Sequence, residues 1–494
     1  MSFCINTATA LCGCLAGKRR KILMKEFCDI FSDLIERSGI KQKEIAEILD
    51  VKAPYLSKLK SGKLLPPDFS VVQKISDRLN LDDDETEELV KAYKKSKFGE
   101  SYIKLEKAIS KMFSADFYAD SGKVTYEKPF IKKENGVIEE KSETKKYMVK
   151  VLKGKNPKIF YDPRNSEVKK VLENSLSEIN GRIKCFFFIN HTKGNDYINI
   201  NAEILAGVLP LIMKNKIDFR YSARDFSNNN INAQFPYCVS NCNEQLFLSE
   251  DLKKSIYITE PDIVELCNNN YERTYDSLSE LCLYFDDPVD FMKTINCTKI
   301  MDNNSFKETD IISIGYYPCV TLGARFDEMT RYVGNYDKKD VLLDSYEKVL
   351  NNIYSRCRKL NCLCLSEGVK EFLHNDEYVL FNESMSKNLP KQFRHKVLSR
   401  VLDVCCQSPK IDYRVIKSKT KNFLKNFEAE IFSDGKLLIF YMMDNEVKSI
   451  IFNNEEFIHP IVSYYKSLAD MNVICSNEES CNFMKDEMKK AALK

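Results

Sequence analysis

Glycine and histidine are scarce in this chain, with sixteen glycines and four histidines among 494 residues. Few loops can therefore cradle a phosphate through bare backbone amides. No glycine-rich phosphate loop, nucleophile elbow or His-Glu metalloprotease motif is present. No apolar run approaches the length of a membrane-spanning helix. Nor is there a large excess of charge. The balance of 75 Lys and Arg against 72 Asp and Glu leaves +3, too little to hold an acidic polymer by bulk attraction, so any basic surface has to be local. These absences lean against an enzyme and against a membrane protein, and no cofactor or metal is expected.

A hydrophobic content of 44% with 30% charged residues is that of a soluble globular chain, long enough for several domains. The eighteen cysteines are scattered through apolar runs, such as Cys185 in IKCFFFI and Cys282 in LCLYF, where a reduced thiol packs as a small hydrophobe. That usage fits a reducing compartment, and the cytoplasm is the expected location. Cysteine pairs recur at Cys12/Cys14, Cys238/Cys242, Cys362/Cys364 and Cys405/Cys406, none with a second pair or histidines at zinc spacing. They read as packed thiols, with a structural zinc or a redox pair as the sharper alternatives. Residues 1–23 read as a disordered tail, and the positive charges after Ser2 to Ala16 are on the wrong side for a secretory signal. Met24 is an alternative natural start.

Helical periodicity begins at Lys25, with Phe27, Ile30, Phe31, Leu34 and Ile35 on one stripe, and Gly39 stops it where a left-handed cap is needed. Further helices are expected over about 41–49, about 53–60, from near Asp68, and after Asp82-Asp83-Asp84-Glu85, where acids favour a helix N-terminus. Lys94 to Glu100 reads as a linker. Tyr102, Leu105, Ile109, Met112 and Phe113 mark another amphipathic helix, for dimer contact or for packing within the chain. Tyr126 to Lys155, with Asn135-Gly136 at its middle, suggests an exposed hairpin. Strands then alternate with helices from Lys158 to Tyr221, follow one another from Phe235 to Thr259, and give way to a helix over Asp262 to Cys282. From about residue 300, strands (Ile311 to Tyr317, Glu428 to Phe432, Lys436 to Met442, Val447 to Phe452) mix with helices near Tyr346, Glu367, Arg394, Glu456 and Asn482. No internal repeat is visible.

The expectation is a multidomain α/β chain in which an N-terminal all-α five-helix domain precedes a large mixed α/β region. Its divisions would be a tail over 1–23, a helical domain over 24–98, a linker helix and hairpin over 99–155, an α/β domain over 156–300 and an α+β domain over 301–494.

The stretch from Gly39 to Pro67, GIKQKEIAEILDVKAPYLSKLKSGKLLPP, carries the clearest functional signal. Ala46 is the small residue that two tightly crossing helices require. Ile45, Leu49, Val51, Leu56 and Leu59 supply the buried faces, and Pro54 fits a first helical turn. Lys52, Ala53, Tyr55, Ser57, Lys58 and Ser61 then point away from the core, where the start of such a helix enters the major groove of DNA. Gln42 begins the first helix of the pair, where its amide and the helix N-terminus can grip a phosphate. Between Asp50 and Asp68 every charged residue is a lysine: Lys52, Lys58, Lys60 and Lys63.

Residues 25 to about 80 resemble the lambda-repressor and Cro-type helix-turn-helix family. The resemblance rests on Gln42, Ile45-Ala46, Leu49-Asp50-Val51, Leu56-Ser57-Lys58-Leu59, Gly62-Lys63 and Pro66. It implies a lambda-repressor-like DNA-binding domain in which Gln42, Lys52, Ala53, Tyr55 and Lys58 face double-stranded DNA and Lys63 faces a phosphate. Asp50 stands where the family has a turn glycine, and Lys60 replaces a common acid.

Elsewhere the chemistry is sparse. His191, with Asn190 and Asn195, follows a buried strand, a place where α/β proteins often carry site residues, although a surface-loop histidine is the simpler reading. Arg164 in YDPRN and Arg220 and Arg224 around Tyr221 are candidates for an anionic ligand, against plain turn and cap roles for Asn165 or Ser166. The expected function is a sequence-specific DNA-binding transcriptional regulator, a cytoplasmic homodimer whose C-terminal region senses a small molecule or a protein effector. The alternatives are an enzyme or toxin-like effector fused to a DNA-binding domain, and a scaffold whose helix-turn-helix docks protein.

Overall fold

The computed structural model describes residues 27–112, 127, 135–190, 195–224, 234–297, 309–320, 322–332, 338–353, 357–376, 387–416, 425, 427–443, 446–470 and 474–492. The tail, Met24 and Cys12/Cys14 lie outside them. The chain forms two compact units: the first runs to Ala108 and takes in Ser463–Ile474, and the second holds Ile109–Val462 and the chain from Cys475 onward.

The N-terminal unit is helical: α1 (27–38), α2 (Gln42–Ile48), α3 (Ala53–Lys60), α4 (Phe69–Arg78), α5 (Asp83–Phe98) and α6 (Glu100–Met112). Its core gathers Phe27, Phe31, Ile45, Leu56, Val72 and Tyr93 with other apolar residues of α1 to α5. The helices end by one device. After α2 the chain turns left-handed at Asp50 (φ 53°), with the Val51 amide donating to the Ala46 carbonyl (2.9 Å) and the Asp50 amide to Glu47 (3.1 Å). After α3, Gly62 (φ 65°) repeats it, with Lys63 on Lys58 (2.9 Å) and Gly62 on Leu59 (3.1 Å). Asn80 (φ 50°) repeats it again after α4. These are Schellman closures, which satisfy the last carbonyls of a helix and turn the chain within two residues. A left-handed backbone costs an L-residue roughly 1–2 kcal/mol, less for Asp. Asp50→Gly is therefore expected to raise stability by about 0.5–1 kcal/mol, the greater freedom of unfolded glycine taking back part of the gain. Urea unfolding of the two proteins checks this.

The expected linker at Lys94 to Glu100 is not there. Helix α5 continues to Phe98, because Ala92, Tyr93 and Ser96 face inward, and the break before α6 is Gly99 alone (φ 93°). Tyr102, Leu105 and Ala108 of α6 are buried.

The C-terminal unit carries two mixed sheets. The first joins β1 (Gly136–Ile138), β2 (Lys158–Phe160), β3 (Ile183–Asn190), β4 (Ile217–Arg224), β5 (Tyr237–Ser240), β6 (Gln245–Leu248), β7 (Ser255–Ile258) and β8 (Ser279–Glu280) in the order β1-β7-β6-β5-β2-β3-β4-β8. The second joins β9 (Cys282–Phe285), β10 (Asp310–Gly315), β11 (Lys359–Leu365), β12 (Ile411–Ile416), β13 (Phe427–Phe432), β14 (Lys436–Met443) and β15 (Glu446–Asn453) in the order β12-β11-β10-β13-β14-β15-β9. The helices are α7 (Lys141–Leu152), α8 (Ser166–Ser175), α9 (Asn195–Met213), α10 (Pro261–Asp276), α11 (Pro288–Cys297), α12 (Phe326–Met329), α13 (Lys339–Ile353), α14 (Ser366–His374), α15 (Lys391–Gln407), α16 (Glu455–Asp470) and α17 (Asn477–Ala492).

Apart from β8, which adds to the outer side of β4, the two sheets have the same connectivity. An edge strand (β1, β9) leads through a helix (α7, α11) to three parallel strands joined by helices (β2, β3, β4; β10, β11, β12). An antiparallel meander then returns on the other side of the first parallel strand, and its last strand pairs with the edge strand. A helix closes each half, α10 or α16. This is an internal repeat of architecture.

Other expectations change as well. Helix α7 takes up the later part of the stretch where a hairpin was expected, with Tyr147, Met148, Val151 and Leu152 buried, and the short edge strand β1 starts at Gly136; residues 128–134 lie outside the described ones. The helix expected over Asp262 to Cys282 ends at Asp276, and β8 and β9 take up the remainder. Strands β11 and β12 were missed. Their signal was the alternation of Leu360, Cys362 and Cys364, which read first as a cysteine pair. Among the described residues, no helix is long and apolar enough to cross a membrane.

Candidate nucleic-acid interface

Helices α2 and α3 are held by their inner faces. Ile45, Ala46, Leu56 and Leu59 are buried, and Leu49 and Val51 at the turn pack against the same core. The Asp50 closure sets the start of α3 only a few residues after α2 ends. This leaves Gln42, Lys52, Ala53, Ser57, Lys58 and Lys63 exposed, with Ser61 beside them.

Tyr55 differs from its expected place. It is half-buried against the core, because it lies one turn before Leu59 on the flank of the buried stripe. Burial first, then the nearby Asp68 carboxylate, pushes its hydroxyl above the ordinary tyrosine value. Its ring supports the fold as well as lying beside the outward face.

Lys52, Lys58, Lys60 and Lys63 form no ion pair with any described residue, so their charge is open to a partner. Asp68, the acid that ends the lysine stretch, is already engaged. It caps α4, accepting from Val71 N–H (3.3 Å) and Ser70 Oγ (2.5 Å), and the Ser70 hydrogen bond leads in holding its carboxyl below the usual range. Helix α5 is likewise closed by Asp82 and Glu85 in a reciprocal capping box. Helices α2 and α3 instead begin at Lys41 and Lys52 without a side-chain cap. Helices α2 and α3 thus present uncapped amides and lysines at the same ends, an arrangement suited to phosphate.

Sequence reasoning overlooked Lys41 and Lys43, exposed on either side of Gln42; the run Lys41-Gln42-Lys43 was the available signal. It also overlooked Lys97. That ammonium donates to the Pro67 carbonyl (3.1 Å) and to the Tyr93 hydroxyl (2.8 Å), tying α5 to the loop behind Lys63. A contact spanning thirty positions leaves no local pattern.

Among the described residues, the C-terminal candidates are each held by local contacts. Arg164 is paired with Asp162 through Nε (3.0 Å to each carboxylate oxygen), and Asn165 caps α8, accepting from Glu167 and Val168 N–H at 3.1 Å. Arg220 donates to the Tyr275 carbonyl (3.1 Å) and lies over that ring (4.5 Å). Asp287 accepts from Val289 N–H (2.8 Å) at the entry of α11. His191 lies outside the described residues, as do the side chains of Asn190, Asn195 and Arg224. His374 meets Glu487 (3.2 Å). The strand cysteines are packed. Burial pushes the Cys238 and Cys364 thiols up to about 12, and Cys362 is held well above its ordinary value by a hydrogen bond with Cys319 and by burial. Such thiols stay protonated, whereas metal binding and nucleophilic attack need thiolate. Cys242 and Cys406 are exposed. Among the described residues, no three His, Cys, Asp or Glu side chains group where a metal ion could be held.

Comparison with known proteins agrees with the N-terminal geometry. Residues 33–85 match the helix-turn-helix family model, of the lambda-repressor and Cro-like kind. No curated protein matches the chain. Among solved structures, one similar to part of it is TrmBL2, an archaeal chromatin protein described as showing a novel mode of DNA binding. The match has 13% identity and a TM-score of 0.19, covering 49% of this chain and 88% of that one. A superposition this loose carries no structural argument.

Proposed function

We propose that this chain is a sequence-specific DNA-binding transcriptional regulator of the cytoplasm, acting as a homodimer so that two α3 helices meet two half-sites. The carrying observation is the lysine set Lys52, Lys58 and Lys63, exposed and without ion pairs among the described residues, on the outer side of a helix pair whose Ile45, Ala46, Leu56 and Leu59 are buried. On this reading α3 lies in the major groove, with Ala53, Ser57 and Lys58 against base edges and Tyr55 at their margin. Gln42 and Lys63, joined by Lys41 and Lys43, meet phosphates. The C-terminal region binds a small molecule or a protein effector, without catalysis, and biases DNA affinity through coupled equilibria.

Sequencing of DNA recovered with the protein would supply the operator, and anisotropy titrations on it test the assignment. Lys58→Ala is expected to weaken operator binding by roughly 1–3 kcal/mol and to relax specificity at one position. Lys63→Ala should lower affinity on all sequences alike and flatten the salt dependence by about one unit of slope. Unchanged operator affinity for Lys58→Ala would refute the groove assignment. Absence of duplex binding at low salt would leave the helix pair as a protein-docking module.

A further inference from the structure

Helices α10 and α16 occupy the same place in the two halves of the C-terminal unit, each starting just after the last meander strand. The third and sixth residues of α16, Phe457 and Pro460, are buried. Phe457 is 0% exposed, and its ring meets Tyr221 of β4 in the other half, 6.2 Å between centroids. The third and sixth residues of α10, Ile263 and Leu266, are 44% and 62% exposed. The start of α16 thus sets a buried ring against the other half, while the start of α10 leaves Ile263 and Leu266 bare.

Helix α10 itself is firmly held. Val264, Tyr271 and Tyr275 are buried, and the Tyr271 hydroxyl lies 2.8 Å from the carbonyls of both Ile159 and Lys184. Its outward stripe runs through Ile263, Leu266, Asn270 and Arg273, spaced as one helix face. Asp262 and Glu265 flank the stripe near its start and Arg273 ends it. All three are exposed, and none forms an ion pair with a described residue. Two such helices laid antiparallel across a two-fold axis place the acids of one opposite Arg273 of the other, with the leucines and isoleucines between them.

We infer that the outward face of α10 is a self-association surface, and that its occupant is α10 of a second copy of this chain. The inference names the surface of the dimer proposed above. It rests on the C-terminal fold alone and is tested without DNA, so its failure and the failure of the DNA reading are separate results.

Analytical ultracentrifugation of the full chain is the test. The wild type is expected to sediment as a dimer and Leu266→Lys as a monomer with an unchanged far-ultraviolet circular dichroism spectrum, because the side chain is exposed in the single chain, and with a thermal midpoint lowered only by the loss of the partner. Arg273→Glu should also favour the monomer, and Asp262→Arg added to it should restore the dimer. A monomeric wild type overturns the inference, as do Leu266→Lys and Arg273→Glu proteins that both remain dimeric. A double variant that stays monomeric overturns the antiparallel pairing.

Discussion

Leu56→Ala is expected to destabilise the N-terminal unit by about 2–5 kcal/mol and to abolish DNA binding without altering any outward residue of α3. Leu56 is 0% exposed and sits in the cluster that joins α2, α3 and α4. Truncation removes its transfer free energy and leaves a void between helices whose positions three Schellman closures hold. A small domain has roughly 5–15 kcal/mol to lose, so the change takes a large share of the total. Urea unfolding followed by far-ultraviolet circular dichroism measures it. The contrast with Lys58→Ala is informative. That side chain is exposed and has no ion-pair partner among the described residues, so its removal should leave the unfolding curve where it is and lower only operator affinity. A Leu56→Ala protein of unchanged stability would mean that the buried face of α3 has been misassigned.

Gly368→Ala should be at least as damaging in the C-terminal unit, by about 3 kcal/mol or more. Gly368 lies in the first turn of α14, directly after β11, and an added Cβ would stand 1.8 Å from the Tyr316 carbonyl oxygen and 2.7 Å from its carbon. That carbonyl cannot step aside easily. It follows β10, which is paired on both sides, and it accepts the Leu365 amide at 3.2 Å. Alanine's better helix propensity returns only about 1 kcal/mol. Thermal unfolding decides the matter, and an unchanged midpoint would show that α14 and the end of β10 can separate.

The N-terminal unit was legible because its information is local. Each helix carries its own apolar stripe, and each ends on a residue that tolerates a left-handed turn: Gly39, Asp50, Gly62 and Asn80. The lysine stretch could be read because no acid interrupts it between Asp50 and Asp68. Tyr55 was misplaced because its position on the edge of the buried stripe depends on how neighbouring helices cover that edge. The C-terminal unit was read in pieces. Long apolar strands, such as Lys436–Met443, were found, while Lys359–Leu365 was read only as a stretch holding a pair of packed thiols and not as a strand.

By itself, then, the sequence determined the helix pair, its turn and the sign of its outward charge, since spacing along a few turns of helix sets all three. Only the tertiary structure decided that two dissimilar stretches fold into one repeated architecture. Strand order comes from pairings between residues far apart, such as Ile159 with Val239 and Ile311 with Phe432. The same long-range packing covers Phe457 and leaves Leu266 bare. Both are apolar residues in helices of the same place and type, and what separates them is which surface folds over each.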